Sequence, residues 1–461
     1  MADTVKINKS VDVVAEVDVL VAGGGIAGCL AAVAAARAGA KTMLVDRFGY
    51  LGGNMGPGMF SGGVLHLALG HDLEQLGRIG GIAGEFLNRA EGSADHLLGR
   101  DYFRDSQVVA YIWQRMMEES GVELLLNSVV TDPIMEGRTV RGLIIETRSG
   151  AVAVRAKVTI DATGNAEVGK RAGAEMFDGP RYIHPGMYFA IANVDTAKYL
   201  AWREGVQVSE EDNQWARELQ KTLGSWGAGS LKPFFPLMRH AWRVGEYRFI
   251  KPIGTIGAVT VDHGFYQPVR DIVGGQVGVT DSSLDPDLTT RQIAAGDHRV
   301  MQELELGCRE YIFETAQFMR RHVPGFENAH LHMISPYFHA RGCQGMICEY
   351  RLTPEDAAGG AKFDDVIFQD YINEPAQKYD FPYRQLLPKG LAGIVATGKS
   401  AIIDPPPNRA RWKMLMLGEV AGVAAAMAAQ QNVSPNKLDV RQLQRVLREK
   451  HHHPIRELGA Q

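Results

Sequence analysis

The sequence predicts an α/β protein: a mainly parallel sheet continued by an antiparallel meander, with an α+β segment inserted before the chain returns to the first body. Three observations carry this. The stretch VLVAGGGIAGCLAAVAAARAGA, residues 19–40, is a short apolar run, three glycines, and then a stretch made almost wholly of small residues. Residues 131–160 alternate short strand patterns with turn signals at Glu136-Gly137-Arg138 and Ser149-Gly150. After Pro388 the texture of the first stretch returns, with GLAGIVATGKS and then an alanine-rich helix over 414–431. A chain of 461 residues also exceeds the size at which one hydrophobic core stops growing, so more than one body is expected.

Taken in order, residues 18–22 read as a buried strand because they are continuous and apolar. Residues 26–37 read as a helix of small residues that Gly39 is placed to stop. Residues 41–46 are a second strand, which completes one βαβ unit and implies parallel pairing. Residues 48–70 turn glycine-rich and irregular. A helix over 108–121 and a strand over 122–126 follow, and the meander ends in the strand 157–161. The middle of the chain mixes polar helices (196–222 and 289–322) with glycine-punctuated strands (249–261 and 275–279). These textures divide the chain into a discontinuous nucleotide-type domain, 1–180 with 383–461, and a substrate-facing cap over 181–382. No internal repeat or low-complexity tract interrupts them.

Composition narrows the class. The net charge is −4, from 49 basic and 53 acidic side chains, and no basic run exceeds a few residues, so no nucleic-acid partner is expected. The opening MADTVKINKS lacks the apolar core of a signal peptide, and no stretch of about 18 uncharged apolar residues suggests a membrane span. Four cysteines (Cys29, Cys308, Cys343 and Cys348) are too few for a disulfide framework in so long a chain. The expectation is a reduced, cytoplasmic protein with no membrane partner, whose oligomeric state the sequence leaves open.

Gly23, Gly25 and Gly28 fit G-x-G-x-x-G between a strand and a helix. The first permits the tight turn, the second lets backbone approach a pyrophosphate, and the third lets the helix pack close to the sheet. The helix N-terminus supplies N–H groups and partial positive charge for phosphates. Asp46 ends the next strand, eighteen residues after Gly28, where a carboxylate can accept ribose hydroxyls. NAD and FAD share the ADP half that such a turn reads, so the turn alone selects neither. The acid at 46 argues against NADP, although Arg47 adjoins it.

Three later stretches decide between them: GYLGGNMG over 49–56, DATG over 161–164, and VATGKSAI. Together they resemble the FAD-dependent oxidoreductases of the glutathione-reductase-like superfamily. RLTPEDAAGGAKFDD, YDFPYRQLLPKGLAGIVATGKS and LGEVAGVAAAMAAQ extend the resemblance through most of 18–447, with 182–251 the least familiar region. The resemblance implies a Rossmann-like FAD-binding domain with FAD as cofactor. It places Gly23, Gly25, Gly28, Gly52 and Gly53 around the pyrophosphate, flanked by Ile26, Ala27, Arg47, Asn54 and Met55. Asp46 would hold the adenosine ribose, and Val130, at the end of the meander's first strand, would meet the adenine through its backbone. Asp161, Thr163 and Gly164 would support the diphosphate region, and Gly398 and Lys399 would lie near the ribityl chain. A helix beginning around Gly418 would aim its N-terminus at the flavin pyrimidine edge. Lys399 stands where the family usually carries an acid.

A flavin enzyme must still place a substrate carbon over N5, handle a proton and hold the substrate's polar groups. In SPYFHARGCQGMICEY an extended chain would put Tyr337, His339 and Arg341 on one face; an edge strand with solvated polar residues is the plain alternative. The resemblance matches Arg341 to a family arginine, but Gln344 and Gly345 replace the arginines that often follow, which implies a different substrate. In DPPPNRARWKM, Arg409 matches another family arginine, while Arg411 and Lys413 read as helix-start or surface cations; the three prolines depart from the family. His66, in SGGVLHLALGH, suits a proton acceptor or a structural histidine equally. His451-His452-His453 reads as a solvated tail, so no metal site is expected. Cys343 and Cys348 lie far from the first glycine motif and on opposite faces of an extended chain, which disfavours a catalytic disulfide. Cys29 reads as a small core residue.

The catalytic candidates are therefore His66, His339, Arg341 and Arg409. The leading function is an FAD-dependent dehydrogenase or oxidase for a small organic molecule, and Arg341 and Arg409 suit a carboxylate-bearing one. The alternative is a redox-neutral isomerase, hydratase or lyase. Some relatives with this nucleotide domain act on transfer RNA, a reading the acidic balance opposes. No second glycine fingerprint for NADPH is visible, so an external electron acceptor or oxygen is expected.

Overall fold

The computed structural model of the chain describes residues 10–58, 80–97, 106–178, 186–223, 232–246, 259–262, 273–279, 296–338, 344–371, 376–401 and 411–457. Strand β1 (Asp12–Ala22) is longer than its apolar run, because its exposed first half pairs with the meander. The glycine turn leads into α1 (Ile26–Arg37) and then β2 (Thr42–Val45). Gly39 stops α1 as its position predicts. It takes φ +89°, a region that favours glycine, and Ala40 N donates to Ala35 O at 3.1 Å to close the last turn.

A 3-10 turn (Gly53–Met55), α2 (Gly81–Leu97) and α3 (Ser106–Ser120) lead to β3 (Glu123–Leu125), which joins β2 in parallel. The meander is β4 (Val129–Glu136), β5 (Thr139–Thr147) and β6 (Gly150–Asp161), and β6 returns parallel to β1. On its other side β6 serves two partners. Residues up to Arg155 pair with β5, whereas Thr159, Ile160 and Asp161 pair in parallel with β13 (Ile394–Ala396), from the far end of the chain. The order is β3-β2-β1-β6-β5-β4, with β13 beside β6. Because β1, β2, β3, β6 and β13 run parallel, their C-terminal ends share one edge, where sheets of this kind bind ligands.

After α4 (Glu167–Arg171) come β7 (Gly186–Ala192), α5 (Thr196–Gly205), α6 (Glu210–Leu223), α7 (Phe235–Arg243), β8 (Val259–Asp262), β9 (Val273–Val279), α8 (His298–His322) and β10 (His330–Ile334). The strands form an antiparallel sheet, β10-β7-β9-β8, over a second core that includes Phe189, Tyr311, Phe318 and Phe326. The single helix expected over 196–222 is two helices. Ser209 starts the second with a capping box: its Oγ accepts from Asp212 N at 3.1 Å, and the Asp212 carboxylate accepts from Ser209 N at 3.0 Å.

The remaining elements are α9 (Pro354–Ala358), β11 (Val366–Asp370), β12 (Tyr379–Pro382), α10 (Arg411–Gln431) and α11 (Val440–His451). Met346, Leu352, Val366, Phe368, Tyr379 and Phe381, all before residue 383, belong to the first core. The β11–β12 hairpin sits on α10, with Phe368 against Trp412 at 6.0 Å between ring centres. By length and composition α10 could cross a membrane, but 89% of that stretch is buried inside the protein, as a core helix would be. It lies backbone to backbone on α1. A Cβ added to Gly418 would stand 2.3 Å from Ala27 O, and one on Gly422 2.2 Å from Ala31 O.

Candidate cofactor site

The three glycines of the first turn have different surroundings. Gly23 takes φ +105°, and a Cβ there would lie 2.5 Å from Ala162 O. A Cβ on Gly28 would lie 1.8 Å from Gly23 O, so its absence is what brings helix against turn. At Gly25, by contrast, φ is an ordinary −70°, and among the described residues no heavy atom beyond its own chain neighbours comes within 4 Å of a Cβ position. The described residues leave that side of the turn open. The N-terminus of α1 has no side-chain cap, and its first intrahelical bond is Cys29 N to Gly25 O at 2.8 Å. The N–H groups of Ile26, Ala27 and Gly28 precede that bond, and with the helix dipole they suit an anion. This open, uncapped turn fits the diphosphate of an adenine dinucleotide.

The second glycine pair closes on the first. Gly52 N donates to Gly24 O at 2.8 Å, and a Cβ on Gly53 would be 3.0 Å from Gly25 Cα. Asp46 ties the two loops at the end of β2: Oδ2 accepts from Gly24 N at 2.5 Å and Oδ1 from Phe48 N at 2.7 Å. Burial pushes its carboxyl up, against the pull of these two N–H groups and of Arg47. Each carboxylate oxygen keeps acceptor capacity that ribose hydroxyls can use. Arg47 is exposed and lies over Phe48 at 4.7 Å and over Tyr337 at 5.4 Å. Phe48 stacks between Tyr50 and Tyr337, at 5.1 and 4.8 Å. The Tyr337 hydroxyl donates to Asn54 Oδ1 at 2.5 Å, and Met55 beside it is buried. Val130 stands second in β4, not at the end of a strand. Ser128 N donates to Asp46 O, so β4 starts where the chain leaves β2.

A third loop pair completes the edge. Asp161 is fully buried, and Oδ1 accepts from Thr163 N (3.1 Å), Thr163 Oγ1 (2.7 Å) and Ser400 Oγ (3.1 Å), while Oδ2 accepts from Gly169 N (3.0 Å). Ser400 Oγ also accepts from Gly164 N and Ala166 N, both at 3.1 Å. Asp161 thus acts on the turn after β6 by holding it to the turn after β13. Ser400 went unread in the sequence, although it directly follows the Gly398-Lys399 pair. Gly398, at φ +60°, would place a Cβ 3.0 Å from Ala27 Cβ. Gly418 requires a correction: α10 begins at Arg411, seven residues earlier, and Gly418 lies within it as the contact with Ala27.

His66, His339, Cys343, Arg341 and Arg409 lie outside the described residues. β10 ends at Ile334, so Tyr337 is not in the strand, and its phenol is turned to Asn54. Lys413 is not a surface cation. It is buried, with Nζ 2.5 Å from Asp370 Oδ2 and donating to the Tyr379 hydroxyl at 3.1 Å. The histidine run is not a solvated tail either, for only His452 is exposed. His451 Nδ1 lies 2.6 Å from Glu419 Oε1, and His453 Nε2 lies 3.7 Å from Oε2. Glu419 also accepts from Ile82 N and Ala83 N at the start of α2. No group of three or more His, Cys, Asp or Glu placed to hold a metal occurs among the described residues. Cys29, Cys308 and Cys348 are free and buried, and burial pushes their thiols well above the ordinary range, which leaves them unreactive.

Curated relatives share part of the sequence. The tRNA uridine 5-carboxymethylaminomethyl modification enzyme MnmG of Caldicellulosiruptor saccharolyticus is 33% identical over 187 residues, 38% of this chain and 29% of that protein. The enzyme of the same name from Alkaliphilus metalliredigens is 32% identical over 189 residues, 38% of this chain and 28% of that protein. The match thus spans less than a third of these relatives' length. Among solved structures, a geranylgeranyl bacteriochlorophyll reductase-like protein from Thermoplasma acidophilum superposes with a TM-score of 0.46 at 16% identity, covering 95% of this chain and 84% of that one. CabE, an aromatic hydroxylase from angucycline biosynthesis, superposes at 0.41 and 13% identity, covering 95% and 66%. The family model for FAD dependent oxidoreductases matches residues 18–447, nearly the whole length. The chain therefore belongs to the FAD dependent oxidoreductase family, and FAD is its cofactor.

Proposed function

We propose that this enzyme is a dehydrogenase or oxidase that moves a hydride between a small, carboxylate-bearing organic molecule and N5 of FAD. The observation that carries the reading is the open turn at Gly25, joined to a family match that runs from the first strand to α11. FAD, when bound, supplies the two-electron acceptor. The chain's part is to bind, orient and take the proton. Arg341 and Arg409 hold the substrate carboxylate, since a guanidinium meets a carboxylate through two parallel hydrogen bonds. His66 or His339 accepts the proton that leaves as the hydride transfers. Tyr337, two residues before His339, anchors on Asn54 beside the second glycine pair, which supports a site near this segment. The electrons then pass to oxygen or to an external acceptor.

A second reading is favoured by the activity of the curated relatives, the modification of a tRNA uridine. The acidic excess of this chain, 53 against 49, opposes it. Anaerobic mixing of the yellow protein with a panel of hydroxy acids, amino acids, alcohols and amines separates the readings. Bleaching of the oxidised flavin band by one member of the panel is the expected result. Failure of every member, together with salt-resistant binding of tRNA, would favour the second reading. Turnover that needs a reduced flavin yet consumes no reductant would point to an isomerase, hydratase or lyase.

A further inference from the structure

Helix α11 lies on the first core by one face and turns arginines outward on the other. Leu443, Gln444 and Leu447 are its buried residues, and Gln444 Nε2 donates to Asp364 O at 2.8 Å and to Val366 O at 3.0 Å. Arg441, Arg445 and Arg448 recur at i, i+4 and i+7, which sets them in one column over two turns. Arg445 and Arg448 are exposed, and Arg441 is half-buried. Arg448 Nη2 donates to Arg456 O at 3.4 Å, which uses one of its five N–H groups. Surface arginines on other helices sit beside an acid: Arg89 by Glu85 on α2, Arg115 by Glu118 on α3, Arg217 by Glu210 on α6 and Arg309 by Glu305 on α8. The α11 column has no such ion pair among the described residues. The pattern also costs the helix stability. Like charges one turn apart repel, and Arg441 stands in the first turn, at the positive end of the helix dipole. Asp439, the acid at that end, accepts from Arg441 N at 2.9 Å as the N-cap. Proteins break such local rules chiefly where a surface serves a function.

We propose that the arginine column of α11 docks an acidic helix of a partner protein. A spacing of four and then three residues is the repeat by which two helices lie side by side. Glutamates or aspartates at i, i+4 and i+7 of a second helix therefore meet the three guanidiniums in register, each through two parallel hydrogen bonds. Along the axis the arginines are separated by rises of about 6 and 4.5 Å. A nucleic-acid strand instead repeats its charge at a single interval, about 3.4 Å of axis. A membrane surface calls for apolar anchors beside the cations, and no exposed residue of α11 is apolar. With no apolar residue in the seam the contact is electrostatic, so it favours fast encounter and weakens with salt. The proposal is independent of the hydride-transfer reading, so either can fail alone.

The test uses the purified holoprotein and two fluorescent helical peptides of identical composition. One carries glutamates at i, i+4 and i+7, and the other spreads the same glutamates around the helix. Binding is read by fluorescence anisotropy at low salt and at increasing NaCl. The ordered peptide should bind about 10-fold more tightly than the spread one, the sum of three surface ion pairs, and lose that advantage as salt rises. The triple variant Arg441→Gln, Arg445→Gln, Arg448→Gln should lose the same factor. It should keep wild-type FAD content and melt at or above the wild-type temperature, because like-charge repulsion is relieved. Lysine at all three positions should keep most of the binding. Equal binding of the two peptides, or unchanged binding by the glutamine variant, would overturn the proposal. So would an ordered peptide that fails to bind at millimolar concentration. Tighter binding of poly(U) or of phosphatidylserine vesicles at the same salt would give the column to a nucleic acid or a membrane and equally overturn it. A glutamine variant that melts lower would make the column structural, and the proposal would fail.

Discussion

A Cβ at Gly28 would lie 1.8 Å from Gly23 O, while among the described residues one at Gly25 would meet nothing within 4 Å. Gly28→Ala should therefore destabilise the protein even without FAD, by about 1–3 kcal/mol as in other overpacked sites, seen as a lower melting temperature of the stripped protein. Glu419 makes a separate prediction. Burial pushes its carboxyl up, but His451, His453 and Ile82 N–H outweigh burial and bring it from 4.5 to about 2. A carboxyl held below its unfolded value binds fewer protons when folded, so its contribution is complete above 4.5 and disappears as pH falls toward about 2. That drop corresponds to roughly 3 kcal/mol. Urea midpoints should fall across this window in the wild type and much less in Glu419→Gln, which should also be weaker at neutral pH; equal slopes would contradict the assignment. The glycines were legible because their conformational needs are local to the turn. Glu419 was not, since its partners at Ile82 and His451 are far from it in sequence, and three adjacent histidines look like a tail until a buried carboxylate meets them.

The contact of α1 with α10 shows what the elements require. Gly418 and Gly422 meet Ala27 O and Ala31 O, so a single methyl at either must push two helices apart. Gly422→Ala should cost about 1–3 kcal/mol in urea unfolding. Gly418→Ala should cost as much and also weaken FAD, because Ala27 is in the first turn of α1. Equal FAD affinity in the two variants would count against a site at that turn. The alanine content of both helices was enough to predict them, but the start of α10 was misplaced. Arg411 and Lys413 look like surface charge in sequence, and Lys413 is buried only because Asp370 and Tyr379 on the β11–β12 hairpin receive it. The break between α5 and α6 had a readable signal, Ser209 three residues before Asp212, that helical periodicity masked.

At the scale of the molecule, Tyr337 leads from the segment after β10 to the cofactor edge of the first core, stacking on Phe48 and bonding Asn54. Tyr337→Phe keeps the stack and loses only the hydroxyl bond, so FAD affinity should fall by about 2- to 10-fold with little change in melting. This link could not be read from sequence, because Tyr337 and Asn54 are 283 residues apart and the chain between them carries no shared pattern. The parallel sheet was legible from one βαβ unit and a meander, both local patterns, whereas the pairing of β13 with β6 depends on the chain closing on itself. FAD content tests most directly whether the cofactor lies across the gap at Gly25. Wild-type protein should carry an equimolar amount, released on denaturation. Gly25→Val should purify nearly colourless, with a stripped stability within about 1 kcal/mol of wild type, the usual scale of a helix N-cap change. A yellow, fully loaded Gly25→Val protein would contradict the account.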